Sequence, residues 1–413
     1  MKKRIISILA AILALSMTGC SAGNNASDDG IVIGKSKHTA LSPIEVTDDN
    51  VLNSIRVFDL ISTDMANSMF SPLSLNMALG MLAEGAEGSS KEALAKYLGT
   101  DDYSAFAESY MKLVESKYNN KSKEDKGYNN AFKIANSFWA DQGYPFKEDY
   151  KNALVEKFGA EINNVNFADK SKTLDEINSW VKEKTNKMIP SILADYRDDV
   201  VSVLINTVYF ESGWVREWSL DKNDKQTFTH FSGSTKEIPL MVKNGSSYYV
   251  SYFENDMATA FSCGYKNGTE FIGILPKQTG DFTIESLDIP SLLASETKDY
   301  DVIARMPELR FDSSFPLNNA LSAAGLSELF NIETADLSGI SDERLCVTEV
   351  LQKTRLELDK DGTKAAAVTA IAPGNMMPMP KEKKEVTLDR PFAFMIYDSE
   401  EEQIVFLGKV TEP

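Results

Sequence analysis

Histidine and cysteine are scarce in this chain, two and three residues in 413. His38 stands in a polar N-terminal stretch and His230 in a Thr- and Ser-rich segment that reads as a turn. A nucleophile activated by imidazole would therefore have to be built on His230. No G-x-S-x-G elbow offers it a serine, and H-E-x-x-H, paired C-x-x-C, G-x-G-x-x-G and G-x-x-x-x-G-K are absent. A hydrolase built on His230 is thus the weakest reading. Three cysteines are too few for a disulfide framework, and Cys263 and Cys346 lie among apolar neighbours as buried free thiols do. Positive charge is short as well: 43 Lys and Arg against 61 Asp and Glu leave a net charge of -18. Such a chain repels nucleic acid and anionic head groups, so neither is expected as a partner.

One long apolar run exists, from Ile5 to Met17, behind Lys2, Lys3 and Arg4. It is too short for a permanent membrane span and has the charge-then-apolar order of an export signal. Thr18 and Gly19 then precede Cys20. The segment resembles a bacterial lipoprotein signal, which implies removal of residues 1–19 and a lipid on Cys20, although Met17 stands where that signal more often has Leu. An ordinary cleaved signal with an incidental cysteine is the alternative. Subtracting the three positive charges of residues 1–19 from -18 gives -21, so any membrane attachment must come through the lipid. Residues 20–44, rich in Ser, Asn, Asp and Gly, read as a flexible tether. No linker and no internal repeat divides the rest, which length alone allows to be one domain or two.

Along that remainder, NMALGMLA (76–83), KEDYKNALVEKFG (147–159) and TLDEINSWVKEKTNKMI (173–189) carry apolar residues at helical spacing. From Val200 the pattern changes. VVSVLINTVYF is apolar and β-branched, as in a strand buried on both faces, and further strands are expected at EIPLMV, SYYVSYFE, MATAFSCGY, EFIGILP, RMPELRFDSSF, CVTEVLQKTRLELDKDG, FAFMIYD and IVFLGKV. LNNALSAAGLSELF between them reads as a helix. Helices early and strands late predict an α+β protein with large antiparallel sheets.

Several segments, in order, resemble the serpin family: NSMFSPLSLNMALGML (67–82), INSWVKEKTNKMI with LINTVYFESGWVREW (177–189 and 204–218), LRFDSSFPLNNALSAAGLSELF, ADLSGIS, VTEVLQKTRLELDKDGTKAAAVTA and the closing RPFAFMIYDSEEEQIVFLGKVTEP. The likeness covers residues 45–413. It implies the serpin fold, with three β-sheets, eight or nine helices and an exposed reactive-centre loop at about 362–387. It also implies a monomeric suicide inhibitor of serine proteases that uses no metal or cofactor. The protease cuts the loop, and the freed strand slides into the largest sheet with the covalently acylated protease attached.

A strand that slides into a sheet needs small residues on the face to be buried. After the hinge glycine, Gly362, the positions Thr363, Ala365, Ala367, Thr369 and Ile371 form such a face, while Lys364 falls on the other. Family spacing puts the cut at Met376-Met377, with Asn375 and Met377 open as alternatives. Met377-Pro378 and Met379-Pro380 are poor bonds because proline follows the cut. The fourteen steps from Gly362 to Met376 span roughly 46 Å at about 3.3 Å each, close to the ~50 Å diameter of such a domain. Met376 suits the apolar pocket of an elastase-like or chymotrypsin-like protease.

The resemblance also assigns control of sheet opening to Ser71, Ser74, Asn206, Trp214 and Gln352, the last standing where the family often has His. It suggests a hinge ion pair between Lys360 and Glu308 with the usual charges exchanged. A surface-tethered, extracellular inhibitor is the expected reading. A non-inhibitory member acting as a binding or scaffold protein is the alternative.

Overall fold

The apolar run at Val200 becomes the strand Ser202–Gly213, in which Glu211 alone is not fully buried. Burial on both faces follows from its place at the middle of the largest sheet, between a layer of helix behind and another in front. In this computed structural model, which describes residues 31–32, 49–62, 66–114, 131–245, 249–297, 300–363 and 382–413, Ser202–Gly213 pairs antiparallel with Ala131–Asp141. Glu161–Val165 lies parallel beyond that strand. On the other side Ser202–Gly213 pairs parallel with Glu349–Leu358, which in turn carries Leu309–Pro316 antiparallel. A second six-stranded sheet runs in the order Ser68–Phe70, Gln403–Val410, Phe392–Asp398, Glu270–Pro276, Ala258–Gly264, Val250–Glu254. A four-stranded sheet joins Lys383–Thr387, Asp301–Met306, Thr235–Gly245 and Ser219–Thr229. With eight α-helices among the described residues, this is the expected α+β architecture of three large sheets.

Two helices define the layers. Pro72–Gly85 is buried along almost its whole length, because it is apolar on every side and lies between the main sheet and the strand Gln403–Val410. Lys170–Lys184 is amphipathic and lies over the opposite face, where Ile177 and Val181 pack with Val203, Ile205 and Leu351. Residue 184 ends it short of the expected 189: Thr185 Oγ1 turns back to the carbonyl of Val181 at 2.8 Å, and Asn186 and Lys187 take φ of 53° and 65°.

Other boundaries differ for local reasons. The single strand expected from Arg305 to Phe315 breaks at Pro307, whose missing N–H cannot join a ladder; Asp301–Met306 belongs to the four-stranded sheet and Leu309–Pro316 to the main one. The expected helix 317–330 splits into short helical pieces at Gly325, where φ is 85°. Ala131–Asp141, an eleven-residue central strand, falls in the half expected to be helical. Ile31 and Val32, within the expected tether, pair with Leu193–Asp195. Cys20, Ala365, Ala367, Thr369, Met376 and Met377 lie outside the described residues. Cys263 and Cys346 are free and buried, as expected.

Candidate functional site

Two parallel strands of the main sheet part at one end. Glu349–Leu358 and Ser202–Gly213 are in register from Glu349 opposite Val203 to Thr354 opposite Val208. Beyond that point a third strand lies between them: Gly362 faces Gly213, and Thr363 faces Ser212 on one side and Leu358 on the other, antiparallel to both. The chain reaches this gap by a tight reversal. Asp359 N–H donates to Gly362 O at 2.9 Å, and Asp359 Oδ1 accepts from the N–H groups of Asp361 and Gly362 at 2.8 and 3.2 Å. Gly362 takes a φ of 153° that side-chain-bearing residues rarely adopt.

Aromatic residues hold the reversal. Trp214 is buried, stacks on Tyr265 at 4.2 Å between ring centroids and donates its indole N–H to Asp359 O at 2.9 Å. Trp214 N–H also donates to Asp361 O at 3.2 Å and Trp218 N–H to Lys360 O at 2.9 Å. The Tyr265 hydroxyl lies 2.9 Å from Thr363 Oγ1, so the first residue of the would-be inserting face is already engaged. Burial drives the Tyr265 pKa up, which keeps that hydroxyl neutral and able to donate.

The closed part of the same seam is held by a buried polar row. Gln352 and Asn206 are directly opposite each other, and Asn206 is opposite Asn136 on the next strand. Gln352 Nε2 donates to Asn206 Oδ1 at 2.6 Å and to Ser71 O at 3.1 Å, while its Oε1 accepts from Ser71 N–H at 2.8 Å. Asn206 Nδ2 donates to Ser74 O at 2.7 Å, and also reaches Ser74 Oγ and Asn136 Oδ1. Ser71 Oγ donates to Val405 O at 2.8 Å and accepts from Ser74 N–H at 3.3 Å, capping the buried helix as well. Ser71, Ser74, Asn206 and Gln352 are thus brought together. Asn136 and Tyr265 were not anticipated. In AFKIANSFWAD, Asn136 is the one amide on the alternating face Phe132, Ile134, Phe138, Ala140, and that interruption was the available signal.

One expected contact is corrected. Lys360 pairs with Asp361, Nζ to Oδ1 at 2.6 Å, and makes no ion pair with Glu308 among the described residues. The adjacent carboxylate is within reach with little further ordering, and both residues of the pair retain solvent access, so the contact contributes about 0 to 1 kcal/mol.

At the other end of the seam Glu349 is buried, and desolvation raises its pKa from 4.5 to about 7, countered in part by Arg197 and reinforced by Asp199. The folded state therefore holds a proton that the unfolded chain has released between about pH 4.5 and 7, so stability falls as pH rises through that window. The effect is on the order of 3 kcal/mol. Glu349→Gln is expected to raise the unfolding midpoint at pH 8 by several degrees and to change it little at pH 4.5. Equal shifts at both pH values would count against a buried carboxyl penalty.

Residues 53–413 match the family model described as "Serpin (serine protease inhibitor)". The chain is 31% identical over 377 residues to an uncharacterized serpin-like protein of Thermococcus kodakarensis, covering 88% of this chain and 85% of that one. It is 28% identical over 386 residues to leukocyte elastase inhibitor A of Mus musculus, covering 89% of this chain and all of the relative. The crystal structure of tengpin, a thermophilic serpin in its native state, superposes with a TM-score of 0.76 at 28% identity, covering 93% of this chain and 97% of that one. The fold, the parted sheet and these matches define a protease-inhibitor class rather than an enzyme class. The chain belongs to the serpin family.

Proposed function

We propose that this protein inhibits serine proteases irreversibly, as a suicide substrate whose cleaved loop enters the gap between Ser202–Gly213 and Glu349–Leu358. The observation that carries this reading is the position of Thr363, antiparallel between two strands that are parallel to each other. A strand entering there restores an antiparallel ladder on both sides.

Continuing the register of Thr363 gives each later residue an address. On the inner face Ala365 would lie opposite Leu356 and Phe210, Ala367 opposite Thr354 and Val208, Thr369 opposite Gln352 and Asn206, and Ile371 opposite Val350 and Leu204. These eight partners are all buried, so small side chains fit and large ones do not. On the outer face Lys364 would lie opposite Glu357 and Glu211, and Ala370 opposite Leu351 and Ile205, beneath the helix Lys170–Lys184. The one charge between Thr363 and Ile371 would thus meet two carboxylates, and the crowded position would receive alanine. Met376 would emerge beyond Glu349, where the sheet ends.

The scissile bond is Met376-Met377 in this reading, and an elastase-like or chymotrypsin-like pocket is the match for an unbranched apolar side chain. Export with a lipid on Cys20 would place the inhibitor at the cell surface on the tether 20–44. No helix among the described residues is long and apolar enough to cross a membrane.

Incubation with elastase followed by denaturing electrophoresis tests the proposal. A covalent complex is expected, with Met377 as the new N-terminus of the released fragment. Met376→Arg is expected to move the complex from elastase to trypsin, by at least about a hundredfold in rate ratio, since an Arg side chain would be left unpaired in an apolar pocket. Cleavage with full recovery of protease activity would instead favour a non-inhibitory binding role.

A further inference from the structure

Lys243 is a buried cation without a carboxylate. It projects from Thr235–Gly245, is 6% exposed, and donates one ammonium proton to Arg216 O. Its Nζ lies 5.6 and 5.4 Å from the ring centroids of Trp214 and Trp218. Burial lowers its pKa, the mark of a charge whose hydration has been only partly replaced. Arg216, on the turn beneath it, stacks on the Tyr249 ring at 3.6 Å and donates from Nη2 to the Tyr249 hydroxyl at 2.7 Å. Neither cation takes part in an ion pair among the described residues, in a chain with 61 acidic side chains to choose from.

Both line one cavity of about 160 Å³, together with Tyr249, Ser251, Ser262 and Glu270. Water occupies ~30 Å³ per molecule in the liquid, so the space suits a tetrahedral oxyanion and a few waters, and excludes a drug-sized ligand. Lys243 forms the buried floor and Arg216 the exposed mouth. The Ser251 hydroxyl is committed to Glu296 at 2.6 Å, and Ser262 Oγ and the two cations are among the donors that line the cavity. Glu270 is the carboxylate among the lining residues, with Glu296 behind Ser251, and Glu270 Oε1 accepts from Ser399 Oγ at 3.1 Å.

The cavity is two contacts from the hinge. Lys243 faces Trp214, Trp214 holds Asp359 O and stacks on Tyr265, and Tyr265 holds Thr363. An anion bound to Lys243 and Arg216 would fix the turn 214–218, and with it the contacts that hold the hinge short of insertion. We infer that this cavity binds a small inorganic oxyanion of the phosphate class, and that its occupancy holds the reactive strand in the uninserted state. The second half rests on the proposed inhibitory mechanism, whereas the first does not.

Tryptophan fluorescence, titrated with inorganic phosphate against chloride at matched ionic strength, tests binding. A saturable change is expected in the parent, weakened about tenfold or more in Arg216→Gln, as loss of a charge-assisted contact implies. Arg216 is exposed, so that variant should keep the fold, and Lys243→Met should abolish the response. No saturable change, or the same response in Arg216→Gln, would overturn the site. Warming the protein without protease, and following the loss of its low-temperature circular-dichroism melt, tests coupling. Phosphate should slow conversion severalfold in the parent and leave Arg216→Gln unaffected. Equal rates with and without phosphate in the parent would overturn the coupling, whatever the outcome with elastase.

Discussion

Thr363→Arg is expected to convert the inhibitor into a substrate. Thr363 is 3% exposed, its hydroxyl meets Tyr265, and its backbone is flanked by Ser212 and Leu358. An arginine there would have to enter the inner face of the sheet, where an uncompensated charge costs several kcal/mol. The uncleaved protein can avoid this by withdrawing the hinge, because two residues of ladder are a small loss. The inserted state has no such escape, since every later residue must follow the first. Insertion then slows relative to deacylation, and 1.4 kcal/mol of added barrier already shifts that competition tenfold. Titration of elastase should show the stoichiometry of inhibition rising by about tenfold or more, with the covalent band replaced by cleaved inhibitor. An unchanged stoichiometry would mean that the hinge does not enter this gap.

The contrast between residues read correctly and those missed has a physical pattern. The strand Ser202–Gly213 was legible because burial on both faces demands a continuous apolar, β-branched run. Ser71, Ser74, Asn206 and Gln352 became legible only through resemblance, because a buried amide looks the same in one dimension whether it has partners or not. Asn136 completes the row from a strand whose sequence, AFKIANSFWAD, alternates weakly, although Gly127, Asn129 and Asn130 before it offered a turn signal. Tyr265 was hidden for another reason: its role depends on stacking with Trp214, fifty-one residues earlier in the chain. The exchange of charge between Lys360 and Glu308 suggested a pair, yet backbone direction at the reversal sends Lys360 to Asp361. Charge complementarity identifies candidates, and the local turn decides among them.

The polar row yields the second large effect, and it separates two roles of the same residues. Asn206→Ala leaves Asn136 Oδ1 and Ser74 Oγ without the amide that serves them, at about 1 to 3 kcal/mol for each buried group. It also removes the Gln352 to Asn206 bond across the seam that would open in the proposed mechanism. The uncleaved protein should therefore lose about 2 to 4 kcal/mol of stability to denaturant and lose inhibitory capacity faster on warming. Stability alone does not distinguish a latch from ordinary core packing. The proposed register does, because continuing it from Thr363 would set Thr369 opposite both Asn206 and Gln352 in an inserted loop. Thr369→Val should leave the uncleaved protein unchanged and destabilise the cleaved form, and that penalty should shrink in the Asn206→Ala background. A coupling of about 0.5 to 3 kcal/mol is expected for residues sharing one network, measured by a double-mutant cycle on the cleaved protein. Additive effects there would place Thr369 elsewhere, and the strand would have entered in a different register or not at all.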